Sequence, residues 1–344
     1  MSGASALRRA GLAALLLVLG PAAYGWGAWA HEHINRAAVL SLPDPLKAFF
    51  YNHVDFMTEE AVMPDIRKYL LNDVAEFPRH SIFLENYGPD AIHTLPRTWE
   101  KAQKQFPPEI LRKNGTLPWT IEDLTDKLTD GFRRRNESEI LFLAAALGHY
   151  IGDANVPLHT TRNNNGQFTG QMDIHPLFEG QLVEMYGPSY DLNAGPAPCF
   201  GDLTKTTWQM IADTHARAIT LLQVDRDLRR ATPEAEIYVT DSAGRLVRNK
   251  SLCLYFRRGY AQRLNARLGG MVEKCLRSAV FYTAGYWNTA WVRAGRPDLS
   301  ALDPASMTER NRPFLQEESK DWANGAMFEI RPPAEFDPAV LDSE

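Results

Sequence analysis

The chain has 344 residues, 44% of them hydrophobic and 23% charged, with a formal charge of −5. These proportions exclude wholesale disorder, a collagen-like repeat and a coiled coil. The acidic balance disfavours duplex DNA held on a broad basic surface, although a bound cation could supply the positive charge that a phosphate needs.

Arg8 and Arg9 precede an apolar run from Ala10 to Gly20, followed by Pro21 and small residues up to Gly25. This is the pattern of a secretory signal over residues 1–25, and the run is too short to span a bilayer comfortably. Cleavage after Gly25 makes Trp26 the new N-terminus, takes the charge to −7 and places the protein in the periplasm or outside the cell. The three cysteines, Cys199, Cys253 and Cys275, are too few for a disulfide scaffold. One bridge such as Cys199–Cys253 is permitted in an oxidising compartment but not required.

Residues 35–50 carry apolar side chains at helical spacing, interrupted by Pro43 and Pro45. Residues 121–135 predict an amphipathic helix with Asp123, Asp126 and Asp130 on its wet side. Residues 140–151 are apolar nearly all round, as in a helix at the centre of a domain. Residues 206–228 and 255–292 predict two more long helices. Between them, residues 236–240 and 246–254 flank Asp241-Ser242-Ala243-Gly244, a β-hairpin signal. From Arg296 onward, six prolines and weak periodicity predict an irregular or partly disordered tail over 301–344. The expected architecture is an all-α single domain over 26–300 with a small β-hairpin excursion.

Chemistry concentrates at the end of the apolar helix. His149 and Asp153 are four residues apart and share one helix face, within reach of one ion. Burying that pair among apolar residues is costly unless the two are paired or coordinate a metal. Pro157 ends the helix and places His159 just past the turn. A buried His149–Asp153 hydrogen bond is the plainer reading, and it leaves His159 unexplained. A second pair, His175 and Glu179, opens another helix with Asp173 as its expected N-cap. His159, His175 and Glu179 would make a His₂-carboxylate set, the open ligand sphere of catalytic zinc, whereas the His175–Glu179 pair taken alone reads more readily as an N-terminal helix feature. Upstream, Asp65 precedes His80 by fifteen residues, with Arg67, Lys68 and Arg79 between them. On their own these two read as a helix N-cap and a surface histidine. At the processed N-terminus, the Trp26 amine and carbonyl can chelate a cation and His31 can close onto it. The alternative for His31 is an exposed imidazole near a frayed end.

The ordered set Trp26, His31, Asp65, His80, His149, Asp153, His159, His175 and Glu179 resembles the ligand pattern of the zinc-dependent phospholipase C and S1/P1 nuclease superfamily. The segments HEHINRAAV, PDIRKY, PRHSIFLENYG, LPRTW, LGHYIGDANVPLHTT and YWNTAWVRAG are similar to a bacterial branch of it, in order, over about residues 26–300. The resemblance implies an all-helical fold of the phospholipase C/P1 nuclease type with three zinc ions. Asp65, His80, His149 and Asp153 would hold the first; His159, His175 and Glu179 the second; Trp26 and His31 the third, with Asp153 bridging first and third. It implies a phosphodiester hydrolase in which a metal-bridging hydroxide attacks phosphorus, with Asp65 steering the attacking water. His33, His53, His93 and His215 match no ligand position and read as surface or packing residues.

Glu179 as the last ligand and the sixteen residues from His159 to His175 resemble the bacterial phospholipases C. The Trp26–His31 and Asp65–His80 intervals resemble the nucleases, which carry an arginine where this chain has Lys68; lysine keeps the charge but loses the bidentate fork. Tyr69, Phe83, Tyr87 and Phe178 are candidate stacking aromatics, though each is more often core. The expected substrate is therefore a phospholipid head group, with transient contact at a membrane surface, or alternatively a single-stranded nucleic acid. Duplex DNA is disfavoured, and no obligate protein partner is evident. A metal-stabilised, non-catalytic envelope protein is the third class.

Overall fold

The helical patterns start and stop where local chemistry tells them to. A computed structural model describes residues 27–249, 252–300, 302 and 305–326. Its longer helices are α1 (Ala28–Ser41), α2 (Leu117–Arg134), α3 (Glu137–Ala154), α4 (Leu203–Arg230), α5 (Arg258–Leu268), α6 (Met271–Arg293) and α7 (Ala305–Ala323). Arg135 closes α2 in the left-handed conformation, φ 53°. The next residue, Asn136, begins α3 by accepting a hydrogen bond from the Glu139 amide at 3.3 Å. This two-residue reversal makes α2 and α3 a helical hairpin. Asp123, Asp126 and Asp130 lie on its exposed side, as the amphipathic pattern predicts.

Helix α3 sits at the centre and packs against α1, α2 and α6. From Ile140 to Ala154 its side chains are buried except that of Phe142. Two contacts hold it in register. The Trp287 indole of α6 donates to Ala144 O at 3.0 Å. Asn35 of α1, fully buried, donates from Nδ2 to Ala145 O at 3.2 Å and to Met57 O at 3.0 Å. Asn35 fits only because position 148 is glycine: a Cβ there would lie 1.9 Å from Asn35 Oδ1. On the far side, buried Asp225 of α4 accepts from Arg229 Nε at 2.7 Å, from Gln171 Nε2 at 2.6 Å and from the Tyr260 hydroxyl at 2.7 Å. That clasp ties α4 and α5 to the loop that leads into His175.

The all-α single domain is what the structure shows, with several departures in detail. Helix α1 begins at Ala28, earlier than expected, because Ala30, Ile34, Ala37 and Ala38 extend its buried face. His31 is therefore on a packed helix and not at a frayed end. The stretch 255–292 is two helices, broken by Gly269 and Gly270 at φ 58° and 78°, a left-handed turn that other residues adopt poorly. The expected hairpin is present as one isolated antiparallel bridge, Thr240 to Leu246; the second arm is not continuous but folds back on itself through Arg248 to Leu254, and Tyr238 pairs with Phe256 beyond it. Asp241 shapes the hairpin turn by accepting from the Ala243 and Arg245 amides. The irregular tail is corrected in part: α7 is helical, its Glu318 pairs with Arg36 of α1, and Trp322 is buried. Packing against Leu46–Asn52 stabilises it where its weak intrinsic periodicity would not. Residues 327–344 and the signal-like residues 1–25 lie outside the described residues. None of the three cysteines forms a disulfide. No described helix is long and apolar enough to cross a membrane.

Gly148→Ala forces the Asn35 amide off both of its acceptors and should cost about 1–3 kcal/mol. Denaturant unfolding of the metal-free protein measures this. If the clash with Asn35 is the cause, the Asn35→Ala, Gly148→Ala double variant falls short of the sum of the singles.

Candidate metal centre

Asp153, in the last turn of α3, has no solvent exposure and is surrounded by imidazoles. Its two oxygens face different partners. Oδ2 lies 2.8 Å from His80 Nδ1 and 3.3 Å from His149 Nε2. Oδ1 lies 3.6 Å from His31 Nε2 and 3.5 Å from His159 Nδ1. The i, i+4 spacing thus does put His149 and Asp153 on one face, and the packing of α1 on α3 brings His31 to the same carboxylate. The His31 and His149 rings stack with centroids 3.8 Å apart. Position 152 is glycine, and a Cβ there would sit 3.0 Å from His31 Nδ1.

Asp65 and Glu179 come from irregular turns. Asp65 ends the single turn Met63–Asp65 and leads directly into a π-helical turn, Ile66–Leu70, that contains Lys68. A second π turn, Leu177–Gln181, contains Glu179. Wide turns of this kind are uncommon and often mark functional sites. Asp65 Oδ1 is 3.5 Å from His80 Nδ1 and 4.0 Å from His149 Nε2. Glu179 Oε1 is 3.3 Å from His159 Nε2 and touches His175 Nε2. Asp173 does not cap the helix at His175. It is left-handed, φ 62°, and its carboxylate instead accepts from Asn165 Nδ2 and the Leu254 amide, each at 3.0 Å.

Three groups of ligand atoms result, each small enough to surround one cation: His31, His149 and Asp153; Asp65, His80 and His149; His159, His175 and Glu179. Every described residue of the expected ligand set is in one of them. Trp26 lies outside the described residues. The first and third expected sets differ in two respects: His149 stands in both groups, and Asp153, expected to bridge them, stands only in the group with His31. His33, His53, His93 and His215 stand in none; His33 stacks on Trp29, and His215 Nδ1 approaches Thr160 O at 3.1 Å.

The donor set fits metal ions. Both ring nitrogens of His31, Asp65 Oδ1, Asp153 Oδ1 and Glu179 Oε2 are buried without a hydrogen-bond partner. Burying so many polar atoms without partners would be expensive in an apolar site, and cations are the partners that carboxylates and neutral imidazoles share. Burial pushes the His31 and His80 imidazoles well below their ordinary value, which leaves them neutral and able to coordinate. Burial alone would push the Asp153 carboxyl up, but His159 and His149 hold it well below the usual carboxylate range. Burial lifts Asp65 to about 7, against the pull of His149 and Lys68. For His159, burial is outweighed by Asp153 and Glu179, which raise it to about 9.

Lys68 is nearly buried, and its Nζ lies 4.4 Å from the centroid of the Tyr69 ring. Together with Tyr69, Phe77, Phe83, Arg112 and Lys113 it lines a cleft of about 360 Å³ whose inner wall includes His80, His159 and His175. Of the candidate aromatics, Tyr69 and Phe83 are in this cleft. Phe178 is fully buried, and Tyr87 packs on Phe106 and Trp119 with its hydroxyl bonded to Gly115 O. Residue spacing did not point to Phe77, Arg112 or Lys113, because the chain returns to this cleft from separate turns. No family model matches this chain, and no curated protein matches it.

In the metal-free chain Asp153 and Glu179 make His159 hold its proton more tightly than a free imidazole does, in spite of its burial. Its folded value exceeds the ordinary 6.5, so the stabilisation is complete below about 6.5 and lost as pH rises through about 9. A cation bound through His159 would displace that proton. We expect the melting temperature of chelator-treated protein to fall over this window and the gain on adding zinc to grow, as calorimetry at successive pH values would record. A zinc-induced gain that shrinks with pH over the same window would contradict this.

Proposed function

We propose that this chain is a zinc-dependent phosphodiester hydrolase of the phospholipase C and S1/P1 nuclease type, exported and processed to begin at Trp26. The observation that carries the proposal is the set of three adjoining ligand groups, two of which share His149, beside a cleft that Lys68 enters. Zinc bound there would supply a nucleophilic hydroxide near neutral pH and neutralise phosphate oxygens. The chain's own residues do the rest. Asp153, with its oxygens turned to different histidines, holds two groups in fixed relation. Asp65 is the most exposed carboxylate of the cluster, with a side chain 12% exposed against 0% for Asp153 and 1% for Glu179. It is therefore the carboxylate that an attacking water can reach, and it orients that water or takes its proton. Lys68 places a point charge where a phosphate oxygen enters.

Two substrate classes follow from the same centre, and the cleft favours one. Glu179 and the short His159–His175 interval support a phospholipid. The lining of the cleft supports a single-stranded nucleic acid: Lys68, Arg112 and Lys113 line it and no carboxylate does. A quaternary ammonium head group prefers an open aromatic face, and that of Tyr69 is already taken by Lys68. Successive phosphates suit three cations, and Phe77 and Phe83 are the aromatic lining left for an unstacked base. Arg112 and Lys113 are exposed at the end of the turn Pro108–Asn114.

Metal-replete protein beginning at Trp26 should contain three zinc ions and cleave bis-p-nitrophenyl phosphate and single-stranded DNA, with lecithin turned over more slowly. Faster hydrolysis of lecithin would return the phospholipase reading to first place. Three zinc ions with no turnover of any of these would leave the metal-stabilised, non-catalytic class. Lys68→Met should lower kcat/KM about 10²-fold on both the small ester and DNA. Arg112→Ala with Lys113→Ala should raise KM for DNA and flatten its salt dependence while leaving the small ester unaffected.

A further inference from the structure

We infer that Glu76 is a positioning residue of the metal centre: its carboxylate accepts from the Nε2–H of His80 and so presents Nδ1 as the ligand atom. The inference rests on the zinc reading above. The two nitrogens of His80 face opposite ways. Nδ1 points into the cluster, 2.8 Å from Asp153 Oδ2, 3.1 Å from His149 Nε2 and 3.5 Å from Asp65 Oδ1. Nε2 is buried without a hydrogen bond, and Glu76 Oε1 is 3.7 Å from it, just beyond hydrogen-bond range. A neutral imidazole has one proton. If Nδ1 gives its lone pair to a cation, that proton is on Nε2 and a carboxylate faces it.

Glu76 is built to stay there. It is 2% exposed. The Tyr150 hydroxyl donates to its Oε1, Arg67 Nε donates to Oε2 at 3.2 Å, and Arg79 Nη1 lies 3.6 Å from Oε2. Tyr150 is the neighbour of His149 on α3, and Arg67 belongs to the π turn that follows Asp65. One carboxylate thus touches the segments that deliver Asp65, His80 and His149. The other ligand histidines with an ordered remote nitrogen use backbone instead: His149 Nδ1 meets Ala61 O at 2.8 Å and His159 Nδ1 meets His80 O at 2.5 Å. Carboxylate partners of this kind fix the tautomer and ring orientation of a ligand histidine and raise its basicity.

The test uses the zinc-loaded chain beginning at Trp26. In Glu76→Gln, one of the three zinc ions should become about 10- to 100-fold easier to remove in a chelator competition, while the other two keep wild-type affinity. Glu76→Asp should recover part of that loss. Because Glu76→Gln leaves Arg67 and Arg79 short of charge and could impair folding, a second measurement uses the wild type. In cadmium-113-loaded, nitrogen-15-labelled protein, metal coupling at His80 should appear on Nδ1, with the proton on Nε2. Coordination through Nε2, or a folded Glu76→Gln chain that holds three ions as tightly as wild type, overturns the inference. A wild-type chain that binds no zinc overturns the metal centre itself and this inference with it.

Discussion

The arrangement of this molecule turns on one carboxylate, Asp153, that has lost all contact with water while staying charged. A lone buried carboxylate would take up a proton or pay heavily for desolvation. Here His159 and His149 hold it ionised, with His80 and His31 completing the ring around it. The result is a charge that can be satisfied only if imidazoles arrive from several parts of the chain. Helix α3 supplies His149, α1 supplies His31, and the turns Phe77–His80 and Pro157–Thr160 supply His80 and His159. Folding and site assembly are therefore the same event.

Close packing of α1 on α3 is what makes this possible. Gly148 and Gly152, one helical turn apart, admit Asn35 and His31, which are likewise four residues apart on α1. One pair of small residue and polar side chain locks the register of the helices. The other brings an imidazole to the carboxylate. Both contacts exploit the same feature: where α3 has no Cβ, α1 can bring a polar group to its backbone or to its ligands. The π turns at Ile66–Leu70 and Leu177–Gln181 play a corresponding part on the opposite side, since a widened turn redirects Lys68 and Glu179 without breaking the chain.

Much of this was legible in the residues. The central helix shows as a stretch apolar nearly all round, and a histidine and an aspartate four apart within it stand out against that background. The i, i+4 spacing of His175 and Glu179 also survives folding, although Asp173 turned out to bind Asn165 and Leu254 rather than cap a helix. Glu76 has the same spacing to His80, yet it passed unremarked because it stands among Asp73, Arg67 and Arg79 in a segment that reads as charged surface. Only its burial distinguishes it. Helix α7 was missed for a related reason: its periodicity is weak, and it is secured by docking on Leu46–Asn52 and the Glu318–Arg36 pair.

The sequence by itself determined the helical class, the central position of α3 and the pairs His149–Asp153 and His175–Glu179, because helical periodicity and the cost of burying polar groups act within a few residues; Asp65, His80 and His31 stood out only through the family resemblance. Tertiary structure decided which of those side chains meet. That His31 shares Asp153 with His149, that Glu76 backs His80, and that Arg112 and Lys113 turn toward the same cleft as Lys68 all depend on contacts between residues far apart in the chain. Such contacts are set by helix packing and by the path of the turns, which no local pattern records.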